Sequence, residues 1–118
     1  MNDDLQIENS PQKAVSSAFS LVDVRQVRGN QIVLDDINLE IETGKITALI
    51  GPSGAGKTSL LRLLNRLDDP ASGQIFYNSR PISEYPVQKL RLQVGFVFQT
   101  PVMFPGTVAD NLRTALEL

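Results

Sequence analysis

Apolar and polar residues alternate in two stretches near the N-terminus. In residues 34–41 every second residue from position 37 onward is apolar, and the residues between them are polar. A period of two is typical of a strand with one buried face. A less regular alternation runs through residues 19–27, and the polar, glycine-containing residues 28–31 predict a turn between the two strands.

Two further runs are almost entirely apolar instead of alternating. Residues 46–50 and 94–98 are short and contain β-branched side chains. This pattern predicts strands that are buried on both faces, as in the middle of an α/β sheet. Residues 74–77 predict one more short strand, which a turn follows.

The spacing of leucines after the first apolar run predicts an amphipathic helix. Leu60, Leu63, Leu64 and Leu67 follow the spacing i, i+3, i+4 and i+7, and Leu61 widens the apolar stripe. Two aspartates, a proline and a glycine within residues 68–73 end this helix. Residues 86–92 predict a short helix, and residues 107–118 predict the beginning of another.

Composition limits the class of protein. The 118 residues carry 42% hydrophobic and 20% charged side chains, as in a small globular domain. The net charge of −2 gives no basic field, so we expect no nucleic-acid partner. No cysteine is present, which excludes disulfides and thiolate metal sites. No apolar run reaches the ~18 residues of a membrane span, so we expect any membrane association to come through a partner.

The N-terminal residues differ from the rest of the chain. Residues 1–17 are polar and without periodicity, and they begin with acidic residues that do not resemble a signal peptide. We expect a disordered tail over 1–17 and a domain over 18–118.

One motif carries specific chemistry. Gly51, Pro52, Ser53, Gly54, Ala55, Gly56, Lys57 and Thr58 match the phosphate-binding pattern G-x-x-x-x-G-K-[ST] at every fixed position. Glycine lets the backbone approach a phosphate closely, and we expect the amides of residues 54–58 to point into one concavity at the positive end of the helix. The alternative is a glycine-rich turn with an incidental lysine.

The side chains of the motif suit a nucleotide with a metal ion. Lys57 is expected to reach the β- and γ-phosphates as a point charge. The Thr58 hydroxyl is a hard oxygen ligand for Mg²⁺, and Ser59 adds a hydrogen bond to a phosphate. Nucleotide kinases, GTPases, helicases and transport ATPases all share this motif, so the residues around it must decide among them.

Those residues resemble the ATP-binding cassette (ABC) family. The resembling segments are 33–41 with Gly44-Lys45 (the opening strand pair), 60–67 and 70–75 (the first helix and its return), 94–99 (the strand into the Q-loop) and 103–112 (the start of the helical subdomain). The resemblance runs from about Leu21 to the chain end. It implies an α/β fold, a P-loop NTPase (RecA-like) core with an antiparallel β-subdomain formed by the N-terminal strands.

The resemblance also implies roles for residues outside the P-loop. Gln99 would contact the Mg²⁺ and the water near the γ-phosphate; the alternative is a solvated loop glutamine. Arg28 stands where the family usually has an aromatic residue that stacks on adenine. Its guanidinium plane can stack on a base, or it can be an ordinary exposed turn arginine. Phe104 either packs on a membrane subunit or fills the subdomain core.

By the same resemblance, the chain is an ATP-binding subunit of an ABC transporter that binds ATP and Mg²⁺. Its partners would be transmembrane permease subunits and a second cassette, at the cytoplasmic face of the membrane. The segment after Gln99 is most similar to cassettes of the phosphate-import and metal-efflux type, so the expected cargo is inorganic phosphate or a metal ion. A non-transport ABC protein is the alternative.

The resemblance places four of the family's elements beyond Leu118: the signature loop, the Walker B aspartate, the catalytic glutamate and the switch histidine. The chain contains no histidine and no apolar strand that ends in Asp-Glu. We therefore expect a cassette truncated before these elements. Whether it hydrolyses ATP is left open, and a nucleotide-binding fragment without turnover is a further alternative.

Overall fold

The computed structural model describes residues 16–100 and 104–117. Its elements, in chain order, are β1 (Ser17–Arg28), β2 (Gln31–Glu42), α1 (Lys57–Leu64), β3 (Ser72–Tyr77), β4 (Arg80–Pro81), a 3₁₀ turn (Ile82–Glu84), α2 (Val87–Gln93) and α3 (Val108–Glu117). The strands form one antiparallel sheet in the order β2-β1-β3-β4. Most of the tail predicted over residues 1–17 lies outside the described residues, but Ser17 already belongs to β1.

The predicted N-terminal hairpin is confirmed. Strands β1 and β2 pair from Ser17 opposite Glu42 to Arg28 opposite Gln31. Gly29 closes the turn with a φ of 63°, a left-handed conformation that glycine adopts without strain. In β2 the half-buried and exposed residues alternate from position 37 onward, as the sequence pattern predicts.

A bulge explains why the alternation in β1 is less regular. The pairing with β2 shifts between Leu21 and Val24, and Asp23 between them has a φ of 53°. Asparagine and aspartate tolerate this left-handed conformation better than most residues. The amide of Asp23 donates to the Asn38 side chain at 3.0 Å. The bulge turns both Leu21 and Val24 inward, where they are 1% and 0% exposed.

Helix α1 covers the inner face of the sheet. Its buried leucines pack with residues of three strands and of α2; the core is Leu21, Val24, Leu34, Leu60, Leu63, Leu64, Ile75, Ile82 and Leu90. Gly73 lets β3 approach the bulge of β1, because a Cβ at this position would lie 2.4 Å from the Asp23 carbonyl oxygen.

The predicted helix is shorter than its leucine spacing indicates. Helix α1 ends at Leu64, so Leu67 lies beyond it, and Leu61 is 44% exposed instead of part of a buried stripe. The reason is a left-handed residue at the C-terminal end. Arg66 has a φ of 61°, and its amide donates to the Leu63 carbonyl, which closes the last turn.

The two apolar runs predicted as central strands, residues 46–50 and 94–98, are not paired as strands. Within the described ranges neither run has a neighbouring strand to complete a hydrogen-bond ladder. Several of their apolar side chains are consequently open to solvent, with Ile50 95% and Val97 96% exposed, while Leu49 and Val94 pack against the core. The sheet of the described residues is therefore the antiparallel β-subdomain, and the expected α/β core sheet is not formed among them.

Candidate functional site

The P-loop joins residues 46–50 to helix α1 with two left-handed glycines. Gly54 has a φ of 84° and Gly56 a φ of 93°. A Cβ on Gly56 would lie 2.6 Å from the Val33 carbonyl oxygen and 2.9 Å from a methyl group of Leu34. The glycine therefore lets the end of the loop lie directly against β2, which fixes the position where α1 begins.

Helix α1 presents its first turn without an internal cap. Gly56 at the N-cap has no side chain to bind the first amides, and the first turn contains no acidic residue. The first amides of a helix have no partner inside the helix, and its N-terminal end is positive. This end is therefore suited to an external anion.

The expected set of five loop amides needs one correction. The amide of Ala55 donates to the Pro52 carbonyl at 3.1 Å. This hydrogen bond closes a turn inside the loop, so the Ala55 amide points into the loop itself and away from the concavity.

The Lys57 side chain folds back over its own loop. Its ammonium donates to the Gly51 carbonyl and, at 2.8 Å, to the Pro52 carbonyl. The residue is half-buried. An ammonium has three donors, and neutral carbonyls balance its charge only in part. Lys57 therefore keeps the capacity to bind a phosphate.

Residues from four parts of the chain line one cavity of about 630 Å³ around the start of α1. The lining consists of Arg28, Gln31, Val33, Ser53, Gly54, Gly56, Lys57, Thr58, Ser59 and Gln99. The structure thus brings Arg28 and Gln99 to the P-loop, as the sequence resemblance implies. Gly51, Pro52 and Ala55 shape the loop without lining the cavity.

Gln99 also borders a second, mainly apolar cavity of about 540 Å³, which contains Leu61, Phe96 and Phe98. It therefore lies where the two cavities meet, and Thr58 lines both of them. The residue is exposed, and its contact with Mg²⁺ stays a prediction. Phe104 is 60% exposed, and its amide donates to the Asn111 side chain at 2.8 Å. Its ring accordingly fills no core among the described residues.

Arg28 contacts two groups near the P-loop. Its Nη2 lies 3.4 Å from the hydroxyl of the buried Ser59 and 3.7 Å from a carboxylate oxygen of Asp68. The side chain is nevertheless 59% exposed, so the alternative of a turn arginine stays open to test. Whether its guanidinium plane stacks on a base stays a prediction.

Asp68 was interpreted from sequence only as the end of a helix. Its carboxylate accepts hydrogen bonds from Arg62, the shorter at 2.7 Å. These bonds lower the pKa of Asp68, against the opposing effect of burial, and the charge of Arg28 lowers it further. No spacing in the sequence indicates that Asp68 meets Arg28, because the two residues lie on elements far apart in the chain.

The chemistry of the cavity fits Mg²⁺ with a polyphosphate better than a metal held by protein alone. Among the described residues there is no cluster of three or more His, Cys, Asp or Glu side chains. None of the described lining residues carries a carboxylate. Thr58 and Gln99 offer a hydroxyl and an amide oxygen, so phosphate oxygens and water molecules would complete the coordination of a metal ion here.

Comparison with known proteins decides the family. The family model described as "ABC transporter" matches residues 34–117. The chain belongs to the ABC transporter family. Its fold agrees with a solved structure of a bacterial Atm1-family ABC exporter with ATP bound. The TM-score is 0.78 at 30% identity, over 90% of this chain and 19% of that one.

The curated relatives carry different names. The chain is 45% identical over 93 residues to Protein STAR1 of rice (Oryza sativa subsp. japonica), covering 79% of this chain and 27% of that protein. It is 46% identical over 91 residues to the sulfate/thiosulfate import ATP-binding protein CysA of Mesostigma viride, covering 76% and 26%. The chain thus spans less than a third of these relatives. No helix among its described residues is long and apolar enough to cross a membrane.

Proposed function

We propose that this ABC family chain binds Mg-ATP in the cavity around the start of α1. The observation that carries the proposal is the convergence of an uncapped helix N-terminus, the Lys57 ammonium and the Thr58 hydroxyl on one cavity. Positive charge, free amides and a metal ligand in one place are what a nucleoside triphosphate requires.

Each side chain has a role in this proposal. Lys57 exchanges the carbonyls of Gly51 and Pro52 for the β- and γ-phosphates. Ser59 donates to a phosphate on the other side of the helix start. Thr58 and Gln99 hold Mg²⁺, which neutralises phosphate charge when it is bound. Gln99 can also orient a water molecule, because its amide both donates and accepts hydrogen bonds.

The family membership supports a role in transport. The chain would energise partner transmembrane permease subunits from the cytoplasmic face, as one of a pair of cassettes. The curated relatives include a multidrug transporter and a sulfate/thiosulfate importer by name, so the part they share with this chain does not distinguish cargoes. A cargo of inorganic phosphate or a metal ion remains the prediction drawn from the segment after Gln99.

We further propose that the chain by itself binds ATP without turning it over at a rate typical of a P-loop ATPase. The described lining of the cavity offers no carboxylate to polarise an attacking water molecule. Loss of a positioned base forfeits about 10²–10⁴ in rate.

Calorimetric titration with ATP in Mg²⁺ buffer tests the binding site. Lys57→Ala should weaken affinity at least about tenfold, because it removes a charge-assisted contact to phosphate. The matched control is Lys89→Ala, which removes the same charge from an exposed position of α2, outside the cavity lining. Equal affinities in wild type and Lys57→Ala would remove the P-loop from the proposal.

Phosphate release by the same samples tests turnover. We expect no steady release above the Lys57→Ala background. Turnover of about one per second lies within the ordinary range for enzymes. If such turnover disappears in Lys57→Ala, the chain has a base and the proposal of binding alone is refuted.

A further inference from the structure

The cavity around α1 is lined by one arginine, Arg28, and its surroundings are unusual for a base-binding pocket. Arg28 reaches in from the end of β1, beside Gln31 and Val33. Every aromatic residue of the chain lies within the described ranges, and none lines this cavity. A base that enters here finds a guanidinium group and no ring.

The edge of the Arg28 guanidinium group lies against the first turn of α1. Nη2 of Arg28 lies 3.4 Å from the Ser59 hydroxyl, and Ser59 follows Thr58 in the first turn of α1. An anion bound at this turn is within reach of both residues. A planar guanidinium group binds phosphate through two parallel hydrogen bonds.

Arg28 is only loosely held by its acidic partner. Asp68 accepts two hydrogen bonds from Arg62, at 2.7 and 3.4 Å, whereas Arg28 lies 3.7 Å away. The carboxylate is thus already compensated by Arg62. Two arginines share one carboxylate, which leaves an excess positive charge that points toward the cavity. The Arg28 side chain is 59% exposed and the Asp68 side chain 30%. A long ion pair with an exposed arginine stabilises a fold little, so Arg28 can leave Asp68 for a phosphate.

We propose that Arg28 is a phosphate ligand which exchanges Asp68 for the nucleotide phosphate nearest Ser59, so that the site discriminates weakly between bases. This inference rests on the proposed nucleotide function and adds a specificity-determining residue to it. Lys57 serves the phosphates at the loop, and Arg28 serves the phosphate nearest Ser59. In this arrangement the edge of the guanidinium group binds phosphate, and its plane is not required for stacking on a base.

Binding of three probes to the full chain tests the proposal: ATP, GTP and inorganic tripolyphosphate, each titrated calorimetrically in Mg²⁺ buffer. We expect wild type to bind ATP and GTP within about threefold of one another, since no ring or base-specific contact separates them. Arg28→Gln should weaken all three probes by a similar factor of about ten, the value of one charge-assisted contact.

Arg80→Gln is the matched control. Arg80 is also ion-paired, to Glu84, and its side chain is 55% exposed against 59% for Arg28, but it lies outside the cavity lining. Its substitution should leave all three affinities unchanged. Should Arg28→Gln fail to fold by circular dichroism, Arg28→Lys replaces it. Lysine keeps the charge without the planar fork, so we expect a smaller loss that again is the same for all three probes.

Asp68 provides a second test. Asp68→Asn should raise the affinity for all three probes severalfold, because it frees Arg28, and the gain should vanish in the double variant with Arg28→Gln. A gain that persists without Arg28 would contradict the exchange.

Three outcomes would overturn the inference. A loss in Arg28→Gln for ATP and GTP but not for tripolyphosphate would mean that Arg28 stacks on the base, and no loss for any probe would make it a turn arginine. A wild type that binds none of the probes would remove both the nucleotide function and this inference. If Lys57→Ala weakens binding while Arg28→Gln does not, this inference fails alone and the nucleotide function stands.

Discussion

Two regions of the molecule contain similar residues in different environments. One is the β1–β2 hairpin, and the other consists of the two runs that flank the P-loop, residues 46–50 and 94–98. Both are rich in apolar and β-branched side chains. In the hairpin, Leu21 and Val24 are almost fully buried, while Ile50 and Val97 in the flanking runs are almost fully exposed. Composition therefore does not explain the difference.

The difference lies in backbone pairing. Strand β1 has a partner on each side, β2 and β3, which satisfy its amides and carbonyls. Residues 46–50 and 94–98 have no such neighbour among the described residues. A strand is stable only when its polar backbone groups are paired. An apolar run thus predicts which residues should be buried, but a separate segment must pair with its backbone and pack on its side chains.

The largest expected contrast between the two regions is in side-chain truncation. Leu63→Ala opens a cavity between α1 and the sheet and should lower the free energy of unfolding by about 2–5 kcal/mol. Val97→Ala in a flanking run should change it by less than about 0.5 kcal/mol. Urea unfolding followed by circular dichroism measures both. Similar losses would mean that the flanking runs are packed after all.

Substitution of two glycines should give a smaller contrast in the free energy of unfolding. Gly73→Ala places a Cβ against the Asp23 carbonyl oxygen at a φ of 94°, and should cost about 2 kcal/mol through strain. Gly95→Ala in a flanking run meets no atom within 4 Å, so it should be neutral or slightly stabilising. The same urea titration decides, and a neutral Gly73→Ala would remove the close approach of β3 to the bulge.

The smallest expected effect is a pH dependence confined to α3, which follows the second flanking run. The amide of Thr107 donates to Asp110 at 3.0 Å, and Asp110 accepts a further hydrogen bond from Arg113. These contacts, the Thr107 amide first, lower the pKa of Asp110. The folded state favours the charged form of Asp110. The ionised carboxylate therefore stabilises the folded state above the ordinary carboxyl pKa of about 4. This stabilisation is lost as the pH falls through the lower folded value.

Amide hydrogen exchange of α3 across this acidic range measures the effect. Protection should fall as Asp110 is protonated, and Asp110→Asn should show little dependence on pH. Asp36→Asn, in the hairpin, is the control and should keep the wild-type dependence. An unchanged profile in Asp110→Asn would mean that the hydrogen bonds of the Asp110 carboxylate with Thr107 and Arg113 do not hold the helix.

The sequence predicted local elements well and their boundaries less well. The hairpin, helix α1 and helix α2 were found because period and turn residues act locally. The early end of α1 was missed, since an arginine in a left-handed conformation at position 66 carries no sequence signature comparable to glycine. The bulge at Asp23 was visible only as an irregular alternation.

For the site, the P-loop could be predicted in detail because its chemistry is contiguous in sequence. The contacts of Gln99 and Arg28 with the cavity required the family resemblance. The ion pair between Arg28 and Asp68 could not be predicted, because it depends on how the end of β1 lies against the end of α1. The turn of the Ala55 amide into its own loop is likewise a matter of three-dimensional geometry.

The hydrogen bonds of Lys57 hold the P-loop closed on itself, and we call them the clasp. The side chain ties the beginning of the loop, at the Gly51 and Pro52 carbonyls, to the first residue of α1. A glycine-rich segment has more conformational freedom to lose than any other, and the clasp restricts it before any ligand arrives. A ligand that binds the Lys57 ammonium therefore meets a loop whose backbone is already restricted. It exchanges one set of partners for another, and little of its binding free energy is spent on shaping the site.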